Sequence, residues 1–295
     1  MSTTLSPAPP GPELAPHQMQ CMEILGGSRP SERFISVPGI DVEILSRPHA
    51  GGAEGGDIHY VSSCAAGLIA RFVLADVSGH GVSIAGEAAK LRRLVRKHMN
   101  SADQSAFARS VNQEFAGLAE AGKFATALLM TYFTPSDHLL IVSAGHPRPL
   151  WYRAAADAWT VLHEDHELAA QNAEDVGIAD LPLGVIDETG YRQTAVPLEA
   201  GDVLVAYTDA LIEASDGRGR QLGESGLLDL ARGIDVKSAA SIAGELLARV
   251  AAYRAGEADD DATVMILRHN AANPGKQTMV EKARALARMI GLVRV

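Results

Sequence analysis

The stretch that decides the fold is residues 68–99, LIARFVLADVSGHGVSIAGEAAKLRRLVRKHM. Its first part, Leu68–Ala75, is almost wholly apolar and short, which predicts a buried strand. Its last part, Val82–Met99, repeats apolar residues every three or four positions, which predicts an amphipathic helix. Between them a Gly-containing turn follows Asp76. The stretch therefore predicts a strand, an acidic turn and a helix in succession.

Strand patterns lie on both sides of this unit. The further predicted strands are Asp41–Leu45, Ile58–Ser62, Ala127–Phe133, His138–Ser143, Pro149–Arg153, Val203–Tyr207 and Thr263–Arg268. Two more helices are predicted, one opened by the capping box Ser101-x-x-Gln104 and one that buries Ile242, Leu246, Val250 and Tyr253. This order does not alternate strictly between strand and helix, so a doubly wound parallel sheet is disfavoured. An α+β fold of antiparallel sheets covered by helices is predicted instead.

The composition changes along the chain in a way that predicts three regions. Residues 1–40 begin with a Pro-rich run and are expected to form a partly disordered leader. Residues 41–269 carry the strands and helices of the domain. Residues 270–295 are expected to be a linker followed by a short helix from Thr278, whose apolar stripe would dock on a surface or a partner. The alternative, a frayed tail, stays open.

Composition also narrows the class of function. Apolar residues make up 47% of the chain, and the formal net charge is −10. Such a charge repels nucleic acid, and no basic stripe offsets it. No apolar run approaches the ~18 residues that span a membrane, and the start lacks a secretory signal. Only Cys21 and Cys64 are present, too few for a disulfide framework, so a cytoplasmic protein is expected. The charge and the absence of a spanning segment predict that it has no nucleic-acid or membrane partner.

Four aspartates share one local pattern, because each lies beside a predicted strand and a turn. They are Asp57, Asp76, Asp209 and Asp260. Carboxylates that meet at the edge of a core repel one another unless a cation joins them, and Mg²⁺ and Mn²⁺ prefer such oxygen ligands. The pattern therefore suggests a site for hard cations. The alternative, that each aspartate only caps a turn, stays open.

The motifs around these aspartates occur in a recognisable order. They are Gly55-Gly56-Asp57, Asp76-Val77-Ser78-Gly79-His80-Gly81, Phe124-Ala125-Thr126-Ala127, Ser143-Ala144-Gly145-His146-Pro147, Leu181-Pro182-Leu183-Gly184, Tyr207-Thr208-Asp209 and Asp260-Asp261-x-Thr263. The series resembles the bacterial sporulation- and stress-type (SpoIIE/RsbU-like) branch of the metal-dependent type 2C serine/threonine protein phosphatases. The resemblance spans residues 41–269.

This resemblance implies a fold, a cofactor and a reaction. The fold is a four-layer αββα sandwich of two antiparallel sheets with helices on both outer faces. Two ions, Mn²⁺ or Mg²⁺, are expected at one end, held by Asp57, Asp76, the Val77 carbonyl, Asp209 and Asp260, with Asp259 leaving the last assignment ambiguous. The ions would activate a hydroxide that attacks phosphoserine or phosphothreonine on a signalling protein. An anti-sigma-factor antagonist is the implied kind of substrate, and a regulatory protein acting in trans the implied kind of control.

Two departures from the family pattern leave a second function open. Tyr60 stands where the family usually has an acidic residue, and Ala210 stands where it usually has glycine. The first supports a catalytically weak module that binds a phosphorylated signalling partner. Retention of the four aspartates favours the enzyme. A metal-dependent nuclease would share the cations but conflicts with the acidic charge.

Three other residues have competing interpretations. His80 and His146 lie in Gly-containing turns, where each is either a general acid or a hydrogen-bonded turn histidine. Arg47 is either a phosphate ligand or a surface residue. The sequence alone favours the second interpretation for all three.

Overall fold

The structure is a computed structural model that describes residues 16–272 apart from 21, 65–66, 80–81, 100, 102, 120–121 and 163–178. The described residues form two β-sheets and four α-helices. Residues 1–15 of the predicted leader and the predicted helix from Thr278 lie outside the described residues. None of the helices in the described part is long and apolar enough to cross a membrane.

The first sheet has seven strands in the order β1-β3-β4-β13-β12-β9-β10. Every neighbouring pair is antiparallel except β1 and β3. Its strands are β1 (His17–Gln18), β3 (Ser31–Val37), β4 (Ile40–Arg47), β9 (Leu150–Arg153), β10 (Ala158–Val161), β12 (Val203–Tyr207) and β13 (Ala262–His269).

The second sheet has six strands in the order β11-β8-β7-β6-β5-β2, all antiparallel. Its strands are β2 (Ile24–Gly27), β5 (Ile58–Cys64), β6 (Ile69–Val77), β7 (Ala125–Phe133), β8 (His138–Ala144) and β11 (Thr194–Pro197). The helices are α1 (Val82–His98), α2 (Gln104–Leu118), α3 (Gly223–Arg232) and α4 (Ile242–Tyr253).

Three cores separate the layers. A central core fills the space between the two sheets, with Phe72, Leu204 and Met265 among its members. A second core joins the outer face of the six-stranded sheet to α1 and α2. A third joins the outer face of the seven-stranded sheet to α3 and α4. The predicted four-layer αββα sandwich is confirmed.

The predicted cap of α2 is wrong in its position. The helix begins at Gln104, and the residue that caps it is Asp103, whose carboxylate accepts from the N–H of Ala106 at 2.9 Å. The Gln104 side chain cannot close a capping box with Ser101, because its Oε1 accepts from the Thr131 hydroxyl at 2.6 Å. Burial of Gln104 against the sheet therefore moves the cap, and with it the helix start, by two residues.

Strands β1–β3 lie within residues 17–37, ahead of the domain start that was expected at Asp41. Ile35 and Val37 of β3 are buried in the central core. The ordered sheets thus begin inside the expected leader. The division of the chain into leader, domain and C-terminal segment otherwise stays a prediction.

Candidate metal centre

The register of β5 and β6 brings two of the predicted aspartates together. Ile58 at the start of β5 pairs with Ala75 near the end of β6. One step further along this antiparallel pair, Asp57 stands opposite Asp76. Asp57 is 2% exposed, and Asp76 is half-buried.

The other two aspartates follow from the pairing of β12 with β13. Tyr207 at the end of β12 pairs with Val264 near the start of β13. Asp209 and Asp260 therefore lie just beyond the same ends of these two strands. The Thr208 hydroxyl donates to Asp57 Oδ2 at 3.0 Å, which joins this end of one sheet to the corresponding end of the other. All four aspartates thus gather at one end of the sandwich.

The glycine pair before Asp57 allows a close backbone approach. A Cβ on Gly55 would lie 2.5 Å from Asp261 Oδ2, and one on Gly56 would lie 3.2 Å from the Val77 carbonyl oxygen. The Asp261 carboxylate accepts from the N–H groups of Gly56 at 2.5 Å and His49 at 2.6 Å. Asp261 therefore fixes the loop that carries Asp57, while the Val77 carbonyl faces that loop.

The geometry also helps to decide whether Asp259 or Asp260 is the candidate metal ligand. Asp259 is exposed, whereas Asp260 is half-buried and accepts from the N–H of Asp261 at 2.8 Å. The negative charge of Asp260 raises the pKa of both Asp57 and Asp76. This proximity favours Asp260 over Asp259 as a member of the site.

Three of the carboxyl groups at this end, those of Asp57, Asp76 and Asp209, have raised pKa values. Burial raises the pKa of Asp57 to about 8, and the charges of Asp261 and Asp260 add to the effect. Burial raises the pKa of Asp76 to about 10, and the charges of Asp57 and Asp209 contribute to it. Burial, followed by the charge of Glu213, raises the pKa of Asp209. At neutral pH, Asp57 and Asp76 therefore favour their charged form only if a positive charge joins them.

The donor set fits hard divalent cations in its chemistry. Asp57 Oδ1 is buried without a hydrogen-bond partner among the described residues, as expected of an oxygen reserved for another ligand. The remaining donors, three carboxylates and a carbonyl, are the oxygen ligands that Mg²⁺ and Mn²⁺ prefer. Within the described residues, no three side chains of His, Cys, Asp or Glu are already close enough together to bind a metal ion. The fit therefore rests on three observations: the strands place the aspartates at the same end of the sandwich, the charges of neighbouring aspartates raise the pKa of Asp57 and Asp76, and Asp57 Oδ1 has no hydrogen-bond partner among the described residues.

We expect the stability of the metal-free protein to fall as pH rises from about 5 to 9. Asp57 and Asp76 keep protons in the folded state that the unfolded chain has released above its ordinary aspartate value of 3.8. The folded state then binds more protons than the unfolded state, so the free energy of unfolding decreases with pH. Melting temperatures in EDTA across this range measure the slope, which should be shallower in Asp57→Asn. An equal slope in that variant would contradict the assignment.

The two departures from the family pattern have structural explanations. Tyr60 is buried in the core between the six-stranded sheet and the helices, and burial raises the pKa of its hydroxyl. Ala210 lies in a single 3₁₀ turn, Asp209–Leu211, and is not among the residues with positive φ. Glycine is therefore not required there by backbone conformation.

The structure bears on two of the three residues that had competing interpretations, His146 and Arg47. His146 is buried, its Nδ1 lies 2.8 Å from the Thr126 hydroxyl, and burial lowers its pKa to about 3. It is therefore neutral near pH 7, which supports a turn histidine over a general acid. Arg47 is exposed and its guanidinium lies 3.7 Å from the Glu32 carboxylate, as for a surface residue. His80 lies outside the described residues.

Sequence reasoning missed several residues that support the site. Thr208 and Thr263 are part of the quoted motifs, but only the structure shows that the Thr263 N–H binds the Thr208 hydroxyl, at 3.0 Å, and so orients it toward Asp57. Lys123 precedes the Phe-Ala-Thr motif, and its ammonium lies 3.5 Å from the Ser78 carbonyl oxygen, beside the turn after Asp76. In the sequence, the available clue was a lysine directly before the quoted Phe-Ala-Thr motif.

Comparison with protein families identifies one match. The model of the family described as Stage II sporulation protein E (SpoIIE) matches residues 70–270, which is well over half of the chain. The matched segment includes Asp76, Asp209 and Asp260, while Asp57 precedes it.

Solved structures with the same fold include three that are informative. The RsbU and RsbW domains of Rv1364c from Mycobacterium tuberculosis align with TM-score 0.66 and 23% identity, over 92% of this chain and 71% of that chain. The phosphatase domain of SpoIIE from Bacillus subtilis, with a fragment of its regulatory domain, aligns with TM-score 0.64 and 17% identity, over 84% and 71%. The catalytic domain of the serine/threonine phosphatase PstP, in complex with 2 manganese ions, aligns with TM-score 0.53 and 17% identity, over 78% and 97%.

Proposed function

The chain belongs to the SpoIIE family, in the SpoIIE/RsbU-like branch of the metal-dependent type 2C serine/threonine phosphatases, and on this premise we propose that it is an active phosphoprotein phosphatase. The proposed reaction is hydrolysis of phosphoserine or phosphothreonine on a signalling protein. The observation that carries the proposal is the convergence of Asp57, Asp76, Asp209 and Asp260 at one end of the sandwich, where the charges of neighbouring aspartates help to raise the pKa of Asp57 and Asp76.

We assign the ion-binding roles as follows. Asp57 and Asp76 would hold the pair of ions, with the Val77 carbonyl as an additional ligand. Asp209 and Asp260 would hold one of the ions from the far side. When bound, Mn²⁺ or Mg²⁺ lowers the pKa of a water nucleophile and neutralises charge on the phosphoryl group. The structure of PstP with manganese supports this choice of ion.

The chain's own residues prepare this site. Thr208 fixes one carboxylate oxygen of Asp57 and leaves the other available for a ligand. Asp261 holds the Gly56 backbone and so fixes the approach of Asp57 to Val77. Because such groups are already oriented, little reorganisation is needed when charge develops during phosphoryl transfer.

The proposed substrate is a phosphorylated anti-sigma-factor antagonist or a similar signalling protein in the cytoplasm. The fold is shared with a protein, Rv1364c, that has an RsbU domain and an RsbW domain, and this supports a signalling protein as the substrate and a regulatory protein as a partner. We propose that the regulator of this chain acts in trans. The second candidate, a catalytically weak module that binds the phosphorylated partner, is supported by Tyr60 in place of an acidic residue.

We expect hydrolysis of an aryl phosphate to require Mn²⁺ or Mg²⁺ and to cease in EDTA, because the proposed ligands are all oxygen donors. A colorimetric assay with added Mn²⁺, with EDTA, and with EDTA followed by excess Mn²⁺ measures this dependence. Equal activity in EDTA would contradict the two-metal mechanism. Specific Mn²⁺ binding without turnover would instead favour the catalytically weak module.

A further inference from the structure

Three exposed apolar residues lie together beside the proposed metal centre. Phe124 is 39% exposed, Val185 48% and Ile186 41%, among five large hydrophobic residues exposed in the described part of the chain. Ala125 and Leu183 form an antiparallel bridge, with hydrogen bonds of 2.9 and 2.7 Å between them. This register places Phe124 opposite Gly184, and Gly184 is followed in the chain by Val185 and Ile186. We name these three residues the apolar ledge.

The apolar ledge is held firmly although its side chains are exposed. The fully buried Asn112 of α2 uses both ends of its amide on this loop. Its Oδ1 accepts from the N–H of Gly184 at 2.8 Å, and its Nδ2 donates to the Ile186 carbonyl at 2.8 Å. Exposed apolar side chains on an ordered backbone are typical of a binding surface, because a partner that covers them loses little additional entropy.

The apolar ledge is continuous with the site. The N–H of Ser78, two residues after Asp76, donates to the Phe124 carbonyl at 2.9 Å, and the N–H of Phe124 donates to the Ser78 hydroxyl at 3.1 Å. The Lys123 ammonium lies next to the same turn. A cation beside the turn that follows Asp76 attracts a dianionic phosphoryl group to this edge of the site.

We propose that the apolar ledge of Phe124, Val185 and Ile186 binds the substrate segment next to the phosphorylated residue and selects apolar side chains there. The occupant is an extended phosphoprotein segment in which a leucine-like residue flanks the phosphoserine or phosphothreonine. This inference rests on the phosphatase function proposed above and adds a determinant of its specificity.

The test compares two short phosphoserine peptides that differ only at the residues flanking the phosphoserine, Leu in one and Asn in the other, which are similar in size. We expect wild-type kcat/KM in Mn²⁺ to be about tenfold higher for the Leu peptide, since burial of one such side chain is worth roughly that ratio. The ratio should approach one in Phe124→Ser and in the double variant Val185→Ser/Ile186→Ser. It should persist in the control Met22→Ser, which alters an exposed apolar residue beside Ser63 near the opposite end of β5 from Asp57.

Two results would overturn the inference while leaving the phosphatase function intact. One is hydrolysis of both peptides at equal kcat/KM by the wild type, as expected if another part of this chain or a second copy covers the apolar ledge. The other is a Leu preference that survives in both ledge variants. Hydrolysis of neither peptide, together with no Mn²⁺-dependent turnover of an aryl phosphate, would instead contradict the phosphatase function itself.

Discussion

Asp209→Asn and Asp260→Asn should each lower Mn²⁺-dependent turnover by about 100-fold or more, because even indirect supports of a metal site are worth roughly 10- to 100-fold. Each change keeps the size of the side chain but removes the negative charge that a hard cation needs. The protein should still fold, since Asn serves in turns nearly as well as Asp. In EDTA both variants should melt at or above the wild-type temperature, because like charges at the site no longer repel.

Asp259→Asn is the matched control for this experiment. It makes the same chemical change one residue away, at an exposed position. Turnover in this control should stay near the wild-type value. If Asp259→Asn lost activity and Asp260→Asn kept it, the register of the Asp259–Asp261 run would have to be reassigned. Full activity in both Asp209→Asn and Asp260→Asn would support simple turn-capping roles.

Asp261→Ala should destabilise the protein by about 3 kcal/mol, because a buried backbone donor left without its acceptor costs roughly 1–3 kcal/mol and this carboxylate serves two. The donors are the N–H groups of Gly56 and His49. Relief of repulsion with Asp57 opposes this loss, but the hydrogen bonds are direct contacts and should dominate. The melting temperature in EDTA should fall by about 6–12 °C on the usual scale for a domain of this size.

Asp261→Asn separates the hydrogen bonds from the charge. Its amide retains one acceptor oxygen, so the fall in melting temperature should be intermediate. Turnover in Asp261→Ala should also drop, since the loop with Asp57 loses its anchor. An unchanged melting temperature in Asp261→Ala would show that the loop is held by other contacts.

Much of the fold could be predicted because the deciding segments are long and uniform in pattern. Val203–Tyr207 was predicted with the bounds that the structure has, and the helix from Val82 differs by one residue at its end. In both cases the side chains that the pattern marked as apolar are buried, so the local pattern and the packing agree. Because these predictions gave the approximate ends of the strands, they also placed the aspartates just beyond those ends.

Other elements have no independent local pattern. Strands β1–β3 fall within the expected leader, whose Pro-rich start and short apolar patches give no clear strand pattern. β1 and β2 are edge strands, and β3 lies between β1 and β4. Helix α3 has ten residues with only Leu227 and Ala231 buried, too short a stripe to detect. The start of α2 depended on a tertiary hydrogen bond to Thr131. Such features are set by partners distant in sequence.

In the candidate site, too, some features could be predicted from local sequence, and others depend on residues that are distant in sequence. The four aspartates could be named from motifs, since a carboxylate after a strand is visible in sequence. The hydrogen bond from Thr208 to Asp57 links residues 151 positions apart, and that from Gly56 to Asp261 links residues 205 apart. Only the closed sandwich brings these together. The ledge of Phe124, Val185 and Ile186 depends in the same way on the pairing of Ala125 with Leu183.

The most direct test of the central claim is a calorimetric titration of the metal-free protein with Mn²⁺ at pH 8. We predict saturable binding of two ions by the wild type and the loss of at least one of them in Asp209→Asn, with Asp259→Asn unchanged. Absence of saturable binding by the wild type, or the same stoichiometry and affinity in Asp209→Asn, would contradict the assignment of these aspartates as metal ligands.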